Sequence, residues 1–134
     1  MADILQADHP TSLITGAASG IGKAIAQHAY KEGHNLILVD IDEINLIETS
    51  DQFKTTNKIE IIADLSSYED ISKLKKTVDS QCNLVNYLFN NAGIFLEGRS
   101  WKLGSDAWSK IININLLATI RMTSAFLPSM IESV

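Results

Sequence analysis

The chain has 134 residues, of which 46% are hydrophobic and 20% are charged, and its formal net charge is -5. These values are ordinary for a single soluble domain covering residues 1–134, and an acidic chain without a basic cluster is not expected to bind nucleic acid. The most apolar stretch, residues 111–127, is interrupted by Arg121, so no membrane span is predicted, and the single cysteine, Cys82, excludes an internal disulfide and favours the reducing cytoplasm.

Short apolar runs alternate with amphipathic helical patterns in the first half of the chain. Thr11–Thr15 predicts a first strand, and a helix follows up to Gly33, with a core face expected at Ile21, Ala24, Ile25, His28 and Ala29. Asn35–Asp40 is a continuous apolar run that ends in an acid, which is typical of a strand covered on both faces. A further helix is predicted from Asp42 to about Gln52.

The second half of the chain repeats this alternation. Lys58–Ala63 predicts a third strand, and Ser67 begins a helix whose apolar stripe is Ile71, Leu74 and Val78. Asp70 stands three residues after Ser67, a variant of the capping box. Leu84–Phe89 predicts a fourth strand, and a long helix is expected from about Ser105 to the end, kinked or shortened by Pro128.

The resulting order, four successive strand–helix units, determines the fold class. Parallel strands joined by helices form a sheet with right-handed crossovers. The sequence therefore predicts an α/β protein, equivalent to half of a doubly wound fold.

A glycine-rich segment, Thr15–Gly22 (TGAASGIG), lies between the first strand and the first helix. In a dinucleotide-binding loop, Gly16 would allow the tight turn, Gly20 the approach of the backbone to a pyrophosphate, and Gly22 the close packing of helix on sheet. The helix N-terminus would then offer N–H groups and a partial positive charge to the phosphates. A P-loop is excluded, because five residues separate Gly16 from Gly22 instead of four and Ala24 follows Lys23 where a Ser or Thr is needed.

Three further features follow the glycine loop in a characteristic order: Asp40 at the end of the second strand, the Asp64-Leu65 pair after the third, and Asn90–Gly93 (NNAG) after the fourth. Together they resemble the short-chain dehydrogenase/reductase family over the chain from about Thr11 onward. The resemblance implies a Rossmann-type doubly wound parallel sheet with strand order 3-2-1-4, truncated after the fourth strand–helix unit. It also implies a nicotinamide dinucleotide cofactor and hydride transfer to or from an alcohol or ketone.

The same resemblance implies which residues form the site. The diphosphate would lie on the glycine loop, the adenine beside Asp64 and Leu65, and the NNAG segment would shape the cofactor floor. In the last helix, Asn115 before Leu116 matches an Asn of the family's catalytic set. Asn113 lies about 200° away around the helix, so both side chains cannot face the cofactor, and Asn115 is the expected catalytic residue. The expected cofactor-binding residues are Thr15, Gly16, Ser19, Gly20, Ile21, Gly22, Asp40, Ile41, Asp64, Leu65, Asn91, Ala92 and Gly93. No metal site is predicted.

Asp40 indicates which cofactor is preferred. It lies 24 residues after Gly16, near the interval expected for an acid that accepts from the ribose 2′-hydroxyl. A carboxylate there repels a 2′-phosphate, and neither Ile41 nor Ala18 offers a cation to hold one. NAD is therefore expected in preference to NADP.

The remaining catalytic residues of the family, a Ser and a Tyr-x-x-x-Lys pair, do not occur in this chain. Four residues beyond Tyr30, Tyr68 and Tyr87 stand His34, Ser72 and Asn91. We therefore expect the 134 residues to correspond to the cofactor-binding half of an oxidoreductase and to be inactive alone. Two alternatives stay open: a non-catalytic NAD-binding module that acts through association, and an interaction protein that has lost the cofactor.

The truncation also predicts self-association. Without a fifth strand, the apolar fourth strand would be an exposed edge, which is a template for another chain. The last helix has apolar residues nearly all round, from Trp108 to Met130, and such a helix is expected to be buried on every side. We expect a homo-oligomer formed through the fourth strand and the last helix.

Overall fold

Four parallel strands form one sheet in the computed structural model, which describes residue 5 and residues 7–133. The strands are Thr11–Thr15 (β1), Asn35–Asp40 (β2), Lys58–Ile62 (β3) and Tyr87–Phe89 (β4), in the order β3-β2-β1-β4. Thr15 pairs with Val39, and Ile14 pairs with Phe89. The carboxyl ends of three strands therefore meet at one edge of the sheet, and the predicted strand order is confirmed.

Within the described residues, five α-helices join and follow the strands: Gly20–Lys31 (α1), Glu43–Ser50 (α2), Tyr68–Asp79 (α3), Ser105–Ile112 (α4) and Ala118–Glu132 (α5). A short 3-10 turn, Ser100–Lys102, precedes α4. Ser67 is confirmed as the N-cap of α3, since its side chain accepts a hydrogen bond from the Asp70 N–H at 3.1 Å. The reciprocal bond of the predicted capping box does not form, because the Asp70 carboxylate accepts from the Asp64 N–H at 3.0 Å and the Ser67 N–H donates to the Asp64 carbonyl.

Two hydrophobic layers cover the sheet because successive side chains of a strand point to opposite faces. On one face, Leu13 and Val39 pack with the α3 stripe Ile71, Leu74 and Val78 and with α5. On the other face, Ile14 and Leu38 pack with residues of α1 and α2. All five residues of β1 are buried, so β1 is the centre of the core.

The buried face of α1 differs from the predicted one. The buried residues are Gly22, Ala26 and Ala29, whereas Ile21 is 73% exposed and His28 is also exposed. A Cβ at Gly22 would lie 2.0 Å from the Gly16 carbonyl oxygen. The helix therefore makes its closest approach through small residues, which leaves Ile21 and His28 outside the core, whereas Ile25 and Tyr30 pack against the core half-buried.

β4 is shorter than predicted, Tyr87–Phe89 instead of Leu84–Phe89. The Asn86 side chain explains this difference, because its Oδ1 accepts from the Thr11 N–H at 2.7 Å, in place of a backbone carbonyl. Ladder pairing with β1 begins only at Ser12 and Tyr87.

The C-terminal helical stretch runs unbroken from Ser105 to Glu132, through a π-helical segment, Asn113–Leu117, between α4 and α5. Pro128 lies inside α5, and the helix continues to Glu132, so Pro128 does not shorten it, and the alternative that it kinks the helix stays a prediction. Ala118, Met122 and Phe126 are buried in the core, whereas Ile112, Leu116 and Ile131 are exposed. The helix is therefore buried on one side of the single chain and not on every side.

The sequence predicted no membrane span, and this helical stretch bears on that prediction by its length and composition only. By length and composition, Ser105–Glu132 meets the requirements of a membrane span, one such helix among the residues described. It packs on the sheet instead, and Arg121 in its middle donates from Nη1 to the Ser66 carbonyl at 3.3 Å.

Candidate dinucleotide site

A cleft of about 390 Å³ opens at the carboxyl edge of the sheet, where ligands bind in open α/β folds. It is formed by the segments that follow β1, β2, β3 and β4, together with the π-helical segment. Its lining residues are Gly16, Ser19, Gly20, Ile21, Asp40, Ile41, Ala63, Asp64, Leu65, Asn91, Ala92, Gly93, Ile94 and Ile114.

The glycine loop has the backbone geometry that its sequence predicts. Gly16 has φ of +67°, in the left-handed region where L side chains are strained. A Cβ at Gly16 would also lie 3.0 Å from the Ala92 Cα. The turn thus depends on glycine for its conformation and for the approach of the segment that follows β4.

The N-terminus of α1 faces this cleft with its amides available. Ser19 is the N-cap, in extended conformation, and its side chain makes no capping hydrogen bond. No acidic residue occupies the first turn of α1. The unpaired N–H groups and the helix dipole are therefore suited to an anion.

Asp40 connects the glycine loop to the end of β2. Its Oδ2 accepts from the Ala18 N–H at 3.0 Å, and its Oδ1 accepts from the Asp42 N–H at 3.0 Å. A carboxylate offers about four acceptor positions. Asp40 therefore has acceptor capacity left for a ligand hydroxyl while it holds the loop.

Thr15 lies beneath the cleft instead of lining it. It is 1% exposed, donates to the Phe89 carbonyl at 3.2 Å, and accepts from the N–H groups of Asn91 and Ala92 at 3.0 and 2.9 Å. The Asn91 side chain donates to the Thr15 carbonyl at 3.0 Å. Thr15 and Asn91 thus fix the glycine loop and the NNAG segment to each other.

Asp64, which follows β3, also lines the cleft. Its Oδ1 accepts from the Ser66 N–H at 2.9 Å and from the Ser66 hydroxyl at 2.7 Å. Among the residues that the structure describes, its Oδ2 has no hydrogen-bond partner. Asp64 is thus fixed in position with one oxygen available to a ligand donor.

Asn115 is located in the π-helical segment, a rare element that often marks functional sites. Its Oδ1 accepts from the Ile94 N–H and its Nδ2 donates to the Ile94 carbonyl, both at 2.8 Å. Asn115 does not line the cleft. Its side chain fixes the segment after β4, next to Gly93.

Most of the predicted cofactor residues therefore come together in one cleft, and the two that do not line it are Thr15 and Gly22. Both lie directly under the loop, Thr15 through its hydrogen bonds and Gly22 through its contact with the Gly16 carbonyl. Sequence reasoning missed Ala63, Ile94 and Ile114, which carry no motif; the position of Ile94 directly after NNAG was the one available signal.

Among the residues that the structure describes, no group of three His, Cys, Asp or Glu side chains is arranged to hold a metal ion. The pKa of Asp42, beside the cleft, is lowered from 3.8, chiefly by the side-chain hydrogen bond from Asn45 and further by the Asn45 backbone N–H.

Comparison with known proteins places this geometry in a family. A family model described as short chain dehydrogenase matches residues 10–134. A CLA biosynthesis dehydrogenase/reductase of Lactiplantibacillus plantarum is 34% identical over 121 residues, which cover 89% of this chain and 42% of that protein.

Solved structures agree with the sequence comparison. A short-chain dehydrogenase/reductase from Burkholderia phymatum in complex with NAD has a TM-score of 0.89 and 28% identity, covering 96% of this chain and 47% of that one. A metagenomic short-chain oxidoreductase in complex with NADP has a TM-score of 0.86 and 27% identity, covering 92% of this chain and 57% of that one. The chain thus spans about half the length of the relatives it matches.

The family model covers nearly the whole sequence, and the glycine loop, Asp40, Asp64 and the NNAG segment occupy one cleft. This chain therefore belongs to the short-chain dehydrogenase family.

Proposed function

We propose that this chain is the dinucleotide-binding half of an NAD(P)-dependent oxidoreductase, whose full reaction is hydride transfer between the cofactor and an alcohol or ketone. The observation that carries the proposal is the cleft, in which the free amides of α1 lie beside a carboxylate that already contacts the glycine loop at 3.0 Å. The bound nicotinamide would supply the hydride chemistry, and the residues present here would bind and orient it.

Each wall of the cleft suits one part of the cofactor. The N–H groups of Ser19, Gly20 and Ile21 would donate to the diphosphate oxygens, because a Cβ built at Gly20 meets no atom within 4 Å and the approach is open. The Asp40 carboxylate would accept from the adenosine ribose. Asp64, through its available oxygen, would accept from the adenine amino group, with Leu65 against the ring.

We infer that NAD is preferred to NADP. A 2′-phosphate would lie near the Asp40 carboxylate, and a Lys or Arg is needed to offset that repulsion. The described residues that line the cleft include neither Lys nor Arg. At the position beside Asp40, the chain has Ile41, which is 64% exposed.

Titration of the 134-residue chain with NAD, NADP and ADP tests this function. We expect ADP to bind about as tightly as NAD, because the residues that would contact nicotinamide in the family are mostly outside these 134 residues. NADP should bind at least about tenfold more weakly, since one unpaired charge opposed at close range corresponds to a few kcal/mol. Equal affinities for NAD and NADP would overturn the preference, and no binding of any of the three would overturn the function.

A second candidate is a non-catalytic NAD-binding module that acts through self-association. The free edge of β4 and the exposed apolar side chains of Leu116 and Ile120, 50% and 51% exposed, favour it. The chain would form a homo-oligomer through β4 and the C-terminal helix, which removes these side chains from water.

Light scattering with paired variants tests this association. Ile120→Glu should convert the oligomer to a monomer, whereas Ile44→Glu, at an 80% exposed isoleucine of α2, should leave the assembly unchanged. A wild-type chain that stays monomeric at high concentration would exclude self-association.

We also propose a cytoplasmic location, because the sequence has a single cysteine, Cys82, and so no internal disulfide, which is compatible with a reducing compartment. Fractionation of cells expressing the chain with a tag tests it.

A further inference from the structure

The tip of the glycine loop is held from outside the cleft by α2, a helix that contributes no residue to the cleft lining. Thr49, in the last turn of α2, is 1% exposed, and its hydroxyl donates to the Ala18 carbonyl at 3.1 Å. A helical Thr usually directs its hydroxyl to a carbonyl of its own helix. Here the donor bonds to a segment 31 residues earlier.

The hydrogen bond from Thr49 completes a set of three that fixes both sides of the tip. The Ala17 N–H donates to the Val39 carbonyl at 3.1 Å, and the Ala18 N–H donates to Asp40. Ala17 and Ala18 are 0% and 6% exposed. A carbonyl in this environment needs its partner, because a buried unsatisfied oxygen is costly.

The Ala18 carbonyl belongs to the same peptide unit as the Ser19 N–H. That unit is planar, and the described chain contains no cis peptide bond, so the carbonyl and the N–H point in opposite directions. The Thr49 hydroxyl, by holding the oxygen on the α2 side, directs the Ser19 N–H away from α2. Ser19 lines the cleft, and its N–H has no hydrogen-bond partner among the described residues.

We propose that Thr49 is a positioning residue that aims the Ser19 amide at the cofactor diphosphate and thereby sets diphosphate affinity from outside the site. The inference rests on the proposed dinucleotide-binding function. It identifies a determinant of that site on an element that no binding motif covers.

Two substitutions at Thr49 test it, one that removes the hydroxyl at constant volume and one that keeps the hydroxyl and removes the methyl group. Thr49→Val replaces the hydroxyl by a methyl group and should weaken ADP binding by about tenfold, the equivalent of one hydrogen bond to a charged group. Thr49→Ser keeps the hydroxyl and should bind ADP within about twofold of wild type, on the same basis. Adenosine, which has no diphosphate, should bind equally well to all three proteins.

A matched control is available next to Thr49. Ser50 is 0% exposed in the same helix, and its hydroxyl donates to Glu60, away from the loop. Ser50→Ala should lower the melting temperature without changing ADP affinity. If Thr49→Val does not stay folded, Thr49→Ala, which leaves room for a water molecule, should show a smaller loss in the same direction.

These measurements distinguish a failure of the role of Thr49 from a failure of the proposed dinucleotide-binding function. Thr49→Val that binds ADP as wild type does, or that loses ADP and adenosine equally, would overturn the role of Thr49 and leave the function standing. A wild-type chain that binds neither ligand would overturn both.

Discussion

Replacing Gly22 by alanine should damage the site through backbone contact alone. A Cβ at this position would lie 2.0 Å from the Gly16 carbonyl oxygen and 2.6 Å from its carbon. Non-bonded carbon and oxygen atoms need about 3.2 Å or more, so the Gly16 peptide must move by more than about 1 Å. Neither atom belongs to a flexible side chain, and the glycine loop itself must therefore shift.

The magnitude follows from two opposing terms. Overpacking of a rigid contact costs about 3 kcal/mol, and alanine regains about 1 kcal/mol of helix propensity. The net loss of about 2 kcal/mol should lower the melting temperature by about 8 °C for a domain of this size. Misplacing two amides that bind the diphosphate, at about 1.5 kcal/mol each, should weaken ADP about 100-fold.

The assay is thermal unfolding and ADP titration of Gly22→Ala beside Gly104→Ala. Gly104 has φ of -69° and nothing within 4 Å of a built Cβ, so its substitution should change stability by less than about 1 kcal/mol and leave ADP binding intact. If Gly22→Ala melts within about 2 °C of wild type and binds ADP normally, the close helix–loop contact is not what shapes the site.

Three further predictions concern other parts of the site. Asp40→Asn should weaken NAD by about tenfold and narrow the gap between NAD and NADP, because the charge that opposes the 2′-phosphate is lost; unchanged affinities for both cofactors would exclude the ribose role. Asn115→Ala removes both hydrogen bonds to Ile94 and should lower the free energy of unfolding by about 2 kcal/mol in urea denaturation; a loss below about 0.5 kcal/mol would show that these bonds do not stabilise the segment. Because the pKa of Asp42 is lowered from 3.8, its contribution to stability is complete above that pH and is lost as the pH falls through the lowered value; Asn45→Ala should raise the pKa of Asp42 in a carboxylate NMR titration, and no change would contradict the assigned cause.

Local patterns in the sequence predicted much of the fold. The continuous apolar run Asn35–Asp40 and the N-cap Ser67 each carry their information within a few residues, and the structure places both as predicted. The shared position of Asp40 and the glycine loop also followed, because parallel strands bring their carboxyl ends to one edge.

The failures depend on long-range contacts. The buried face of α1 is set by the approach of Gly22 to Gly16, which overrides the larger side chains of Ile21 and His28. β4 begins late because the Thr11 N–H donates to the side chain of Asn86, 75 positions away, and not to a backbone carbonyl. Hydrophobic periodicity, which is counted over a short window of sequence, carries no information about either contact.

The supporting residues of the site were hidden for the same reason. The glycine motif includes Thr15 among the cofactor residues, and only the structure reveals that Thr15 joins two loops beneath the cleft. Thr49 has no motif, and its role follows only once α2 is placed against the loop tip. Motifs identify residues that face a ligand more readily than the residues that hold them.

Amide NMR of the ¹⁵N-labelled chain titrated with ADP reports where the diphosphate lies, and it therefore tests whether the glycine loop and the N-terminus of α1 bind it. We expect the largest chemical-shift changes at the N–H groups of Ser19, Gly20, Ile21 and Gly22, with a further change at Asp40. Saturable shifts confined to residues outside the cleft, or none with ADP in large excess, would contradict it.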